Sequence, residues 1–281
     1  MAKPTSVGYK GRDRRLWRDL GYYLGRPKLK DDLAFIHVPK CGGTSLVSAI
    51  RRHYPPIRTG FNANCYYLNV AASVAAARTV DPEADPRSPM GDLEILRERQ
   101  RWATYHLNLG FTRMVAGHVP FSADLQEAAH PRFKWLTMAR DPVARWWSLV
   151  HFARDGHAAI DDDVAALLDS EDGAAQGAEL VKFIGGPRAE GDYRSQSAVA
   201  QAKANLERFD LVGILEHQDR FVAGFQERFG VRLEVGTLNR NPTAAGRQAP
   251  DEATTERIRA LCAPDLAVYE RACELAGVPD A

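Results

Sequence analysis

The run LAFIHVPKCGGTSL, residues 33–46, limits the possible folds more than any other stretch of the chain. Its first six residues are apolar and β-rich on both parities, the pattern of a short strand covered on both faces. Residues 39–43 then form a loop in which Gly42 and Gly43 permit tight backbone. A helix follows from Thr44, with Thr44 or Ser45 as its expected cap. A strand, a glycine turn and a helix N-terminus aim several backbone N–H groups at one point, and the helix dipole favours an anion there. Lys40 adds a full positive charge, so the stretch reads as a phosphate cradle. It is not the nucleoside-triphosphatase loop, in which Lys follows the glycines and precedes Ser or Thr. Here Lys40 stands before Gly42 and Gly43, and no Asp at a strand end stands out as a magnesium partner. A plain glycine-bearing turn with a surface lysine would give the same local pattern.

Composition sets the outer bounds. A chain of 281 residues, 45% apolar, 26% charged and with net charge +1, suits one large α/β domain and gives no case for nucleic acid. Cys41, Cys65, Cys262 and Cys273 are scattered without a C-x-x-C pair, which disfavours zinc and a disulfide framework. No apolar run reaches membrane-spanning length and no signal-peptide core is present, so a cytoplasmic protein is expected. Residues 1–32 differ from the rest as a basic N-terminal arm, with Trp17, Tyr22 and Tyr23 among the cations. Such an arm can touch an anionic membrane surface peripherally, or remain a solvated tail.

Taken in order, the first helix should stop at Tyr54-Pro55-Pro56. Residues 57–113 are expected to be an insertion or lid, with an Ala-rich helix over 71–78, a loop over 81–89 and a charged helix over 92–105. Further strands are expected at 114–119 and 133–139. Arg140-Asp141-Pro142 then opens a helix, capped by Asp141 with Pro142 in its first turn. Residues 155–195 form a second lid segment, a fourth strand spans 209–215, and helices follow over 218–229 and 252–276. Four short apolar strands separated by helices predict a three-layer α/β/α fold around a central parallel sheet, formed by residues 33–281.

Ligands on such a sheet lie beyond the carboxyl ends of its strands. Lys40, His118, Arg140 and Glu216 all fall at or just after predicted strand ends. Arg140, before one helix, and Ser148, two turns into it, could hold a second phosphate from two sides. His118 is either a buried structural residue or a base near neutral pH. His37, inside the strand, reads as structural or as a support for its neighbours.

HVPKCGGTSL together with TMARDPVARWWS resembles the two cofactor signatures of sulfotransferases that use 3′-phosphoadenosine 5′-phosphosulfate (PAPS). The likeness is nearest the carbohydrate group that contains the heparan sulfate 2-O-sulfotransferases and bacterial relatives. GHVPF, 117–121, resembles that group's catalytic-histidine segment, and the likeness runs in order over about 33–275. It implies that Lys40, Cys41, Gly42, Gly43, Thr44 and Ser45 hold the 5′-phosphosulfate, with Lys40 also at the leaving oxygen. It further implies that Arg140 and Ser148 bind the 3′-phosphate, and that His118 is the general base. Asn239, Arg240 and Arg247 match loosely a loop over the nucleotide, and 193–196 a polar cluster of the bacterial members. The implied reaction is metal-free sulfuryl transfer to an acceptor hydroxyl, on a saccharide or glycolipid. The alternatives are a kinase-like phosphoryl transferase and a nucleotide-binding protein without turnover. Arg51, Arg52, Arg97, Arg99 and Arg101 are the cations available for a basic cleft, should the acceptor be anionic.

Overall fold

The computed structural model describes residues 24, 28–55, 58–59, 62–86, 89–154, 163–189, 191–236 and 250–279. Most of the basic arm, the acidic residues Asp161 and Asp162, and the loop with Asn239, Arg240 and Arg247 lie outside them.

The central sheet has five parallel strands. β1 (Asp32–Ile36), β4 (Cys65–Tyr67), β5 (Met114–Gly117), β6 (Phe133–Ala139) and β7 (Leu211–Ile214) stand in the order β4-β5-β1-β6-β7. A two-stranded ladder, β2 (Arg58–Thr59) with β3 (Asn62–Ala63), precedes β4. Alternate residues of each strand face opposite ways, and two separate cores result. Leu33, Phe35, Met114, Ala116, Leu136 and Met138 pack under α1 (Gly43–Arg51) and α10 (Gln218–Phe229). Ala34, Ile36, Val115, Trp135, Val212 and Ile214 pack on the other side. There the cover comes from α3 (Pro89–Leu107), α4 (Ala123–Ala128), α8 (Glu179–Gly185), α9 (Gln196–Leu206) and α12 (Ala263–Ala276). The expected three-layer α/β/α architecture is therefore present.

The sheet has one strand more than the sequence suggested. β4 comes from the segment 57–113, and at three residues it is too short for a periodicity to show. β1, β5 and β7 end one to two residues before the apolar runs do, so His37 and His118 leave the sheet just past its carboxyl edge. The helix expected over 252–276 is two helices, α11 (Glu252–Leu261) and α12. Pro264, in the first turn of α12, cannot continue a helix from above it, and the chain turns at Cys262. The Ala-rich helix is α2 (Val70–Val80).

Chain direction across the sheet sets the position of any site. From β1 the chain crosses toward β4, whereas from β6 it crosses toward β7. The neighbours β1 and β6 thus send their connections opposite ways and open a crevice at their carboxyl ends. Lys40 follows one strand and Arg140 the other.

Candidate active site

Two left-handed residues shape the loop after β1. Lys40 has φ 66° and Gly42 has φ 72°. For Lys40 this is unusual and costs about 1–2 kcal/mol, against nothing for glycine. Gly42 is also the N-cap of α1, and no side chain caps the helix. The hydroxyls of Thr44 and Ser45 do not serve as the expected cap, because the turn at Gly42 starts the helix before them. Thr44 is exposed and Ser45 half-buried, and the first-turn N–H groups have no intrahelical partner. Gly43 is sterically required, and Gly42 is favoured by its left-handed φ more than by space. A Cβ on Gly42 would stand 2.6 Å from Leu215 Cδ1, and one on Gly43 2.1 Å from His37 Cδ2. Cys41 is fully buried and burial pushes its thiol up to about 12, so only its backbone faces the cradle. Lys40 Nζ lies 3.9 Å from the ring centre of Phe152, a cation–π contact with α5 (Pro142–Arg154).

Arg140 closes the crevice from the β6 side. Its Nη1 donates to the Lys40 carbonyl at 3.2 Å, tying the second predicted phosphate element onto the first. Its Nε is buried without a hydrogen-bond partner and lies 3.8 Å from Glu216 Oε1. Both oxygens of Glu216 accept from the Asp141 N–H at 3.3 Å, and Tyr269 donates to the same carboxylate at 3.4 Å. Asp141 caps α5 as expected, accepting from the Ala144 N–H at 2.7 Å. Ser148 is half-buried two turns along that helix.

The third wall carries the histidines. His118 Nδ1 is 2.6 Å from the His37 carbonyl, and a carbonyl only accepts, so Nδ1 holds the proton. Nε2 is then the nitrogen with the lone pair, the form a general base needs. Burial lowers the His118 pKa below 6.5, opposed by the bond to the His37 carbonyl and reinforced by the charges of Arg99 and Lys40. His37 lies 4.5 Å from His118 between ring centres but is differently placed. Its Nδ1 is engaged by the Tyr67 hydroxyl at 2.6 Å and its other edge lies on Gly43. Burial, then His118 and Lys40, hold its pKa well below the usual value, so it is a neutral wedge beneath the loop. Tyr67 also hydrogen-bonds Thr44, while burial pushes its phenol up to about 12. Sequence reasoning missed Tyr67 because it stands on the unrecognised β4; the aromatic pair in CYYLNV was the available signal.

The crystal structure of a sulfotransferase from Alicyclobacillus acidocaldarius resembles this chain at TM-score 0.46. The likeness covers 88% of this chain and 96% of that one at 20% identity. A match so distant says nothing about chemistry. No protein-family model matches the chain, and no curated protein does.

Other sequence expectations fall elsewhere in the fold. Arg194 donates to the carbonyls of Ala174 and Leu261, and Ser195 caps α9, so residues 193–196 anchor helix ends. Two of the arginines named for a basic cleft are otherwise engaged. Arg101 pairs with Glu94 and Glu98, and Arg99 is buried. Among the described residues no helix is long and apolar enough to cross a membrane, and no group of three or more His, Cys, Asp or Glu is placed to hold a metal.

Proposed function

We propose that the protein transfers a sulfuryl group from 3′-phosphoadenosine 5′-phosphosulfate to an acceptor hydroxyl on a saccharide. The single observation that carries the reading is the Arg140–Lys40 contact. It brings the two candidate anion-binding elements side by side across β1 and β6, an arrangement that suits a nucleotide with phosphates on both its 3′ and 5′ positions. The residues fit such a ligand. An uncapped helix start offers N–H donors, Gly42 and Gly43 leave room for close approach, and Arg140 Nε is a buried donor without a hydrogen-bond partner.

The donor, when bound, supplies an activated sulfuryl group on a phosphate leaving group. The loop 40–45 binds and orients its 5′ end through backbone N–H groups and the Thr44 and Ser45 hydroxyls. Lys40 stabilises charge at the bridging oxygen after leaving the Phe152 ring. Arg140 and Ser148 take the 3′-phosphate, with Glu216 holding the guanidinium in place. His118 removes the acceptor proton at Nε2, while its Nδ1–H stays on the His37 carbonyl. Lys40 carries the charge that stabilises the leaving group, as cations do in phosphoryl transfer.

The test is calorimetric titration with 3′,5′-adenosine bisphosphate beside 5′-AMP, ADP and magnesium-ATP. Preference for the bisphosphate is expected. Preference for ATP would favour phosphoryl transfer, and no nucleotide binding would remove both readings.

A further inference from the structure

Arg99 is a buried cation for which the reaction outlined above has no use. It lies on α3, within the segment 57–113, and only 7% of it is exposed. Its Nε donates to Ser73 Oγ at 3.1 Å and its Nη1 to the His118 carbonyl at 3.3 Å. Ser73 is itself buried on α2 and donates to the Val70 carbonyl at 2.7 Å. Burying a guanidinium costs several kcal/mol, and two bonds to neutral oxygens do not offset that. Asp92 and Glu179 supply counter-charge, yet Asp92 is already bound to Lys182 at 2.7 Å. Arg99 is therefore held at His118 against a desolvation cost.

His118 needs holding. It leaves the sheet directly after Gly117, whose φ of 142° is open to glycine and strained for other residues. Three bonds fix the peptide there: His37 N–H to the Gly117 carbonyl at 3.0 Å, His118 Nδ1–H to the His37 carbonyl at 2.6 Å, and Arg99 to the His118 carbonyl at 3.3 Å. The first two bind His118 to β1. The third alone binds it to the helical layer.

We propose that Arg99 is a positioning residue for His118, fixing the base's backbone from α3. This rests on the sulfuryl-transfer reading for its catalytic consequence but not for its geometry. The groups facing His118 are the His37 ring from the end of β1, Lys40 from the loop, Arg99 from α3, and Phe183 from α8, 6.1 Å away between ring centres. Lys182 and Glu179, also on α8, reach Arg99 by way of Asp92. Of the two cations that disfavour imidazolium, Lys40 is expected to turn toward the donor and Arg99 to stay.

The experiment compares Arg99→Gln and Arg99→Lys with the wild type in three measurements: bisphosphate affinity, the pH profile of kcat/KM, and NMR titration of the His118 ring proton. In Arg99→Gln, turnover should fall about tenfold with bisphosphate Kd within twofold, since a misplaced base slows the step but leaves the cradle intact. Its acid limb and its His118 titration should both move to higher pH, because a cation that disfavoured imidazolium is gone. Arg99→Lys should lose turnover through geometry but keep the wild-type titration. Unchanged turnover in both variants, or an unmoved His118 titration in Arg99→Gln, overturns the proposal. If the wild type transfers no sulfuryl group, that reading fails, and the titration decides the Arg99 contact by itself. If Arg99→Gln is insoluble, Ser73→Ala replaces it: loss of the Nε bond should lower turnover about threefold, and unchanged turnover again overturns.

Discussion

The two walls of the site are built by opposite means. The cradle at 39–45 is contiguous in sequence and works mainly through backbone: a left-handed turn, an uncapped helix start and two glycines, of which Gly43 has no room for a Cβ. The base wall is assembled from β1, β4, β5 and α3, and works through side chains that hold one another. Tyr67 engages His37, His37 carries His118 on its carbonyl, and Arg99 grips the His118 peptide. The first design fixes where an anion lies. The second fixes a proton acceptor, and its parts have meaning only together.

The largest expected effect separates the walls outright. His118→Ala should reduce turnover by about a hundredfold or more and leave bisphosphate Kd near the wild-type value. Steady-state kinetics beside calorimetry checks this, and a large loss of affinity would show that the two walls are not independent. The wild-type pH profile belongs to the same test. Since burial lowers the pKa of His118, its lone pair is available at neutral pH. Activity should therefore fall only as pH drops below about 6.5, through protonation of the base.

Next comes the cradle's own long-range member. Arg140→Ala removes charge-assisted bonds to the 3′-phosphate and should weaken bisphosphate binding by about ten- to a hundredfold, or roughly 1.5–3 kcal/mol. Affinity for 5′-AMP, which lacks that phosphate, should change little. Equal losses for both nucleotides would place Arg140 on the 5′ side and undo the assignment of two phosphate sites.

What the sequence disclosed follows the same division. The first strand, the loop and Asp141 as a cap could be read because each depends on residues within a few positions of one another. The helix 218–229 appears with those bounds, since an amphipathic pattern and Gly230 at its end are also local signals. β4 escaped because three residues on a sheet edge carry no period. Arg99 escaped because, in a helix rich in Arg and Glu, a buried arginine spells the same as an exposed one. It differs from Arg101 only through folding, which turns one toward His118 and the other toward Glu94 and Glu98. Neither Thr44 nor Ser45 is the cap the sequence suggests, because the left-handed conformation of Gly42, not a hydroxyl, starts the helix.

Gly43 is where the walls touch, and it offers a sharper test. A Cβ there would lie 2.1 Å from the His37 ring, which cannot retreat because Tyr67 and His118 flank it. Gly43→Ala should therefore cost about 1–3 kcal/mol of stability by overpacking. It should also lower both bisphosphate affinity and turnover, unlike either substitution above. Thermal unfolding with kinetics checks it. A variant impaired in affinity alone would mean that His37 does not transmit cradle shape to the base.

The smallest expected shift in stability is the most pointed, because stability and function should move in opposite directions. Lys40 adopts φ 66°, where a side chain is strained and glycine is not. Lys40→Gly removes that strain but loosens the unfolded chain, so the net gain is expected to be below about 1 kcal/mol, a rise of a degree or two in Tm. The same change deletes the cation over Phe152 and should abolish turnover while weakening the bisphosphate less than Arg140→Ala does, since the N–H donors of α1 remain. Lys40→Ala keeps the strain, deletes the cation and should melt below Lys40→Gly. If both variants melted alike, the left-handed lysine would not be strained, and the charge alone would account for the residue at 40. If Lys40→Gly melts higher and is inactive, the cradle holds a destabilising conformation for the sake of where it puts that charge.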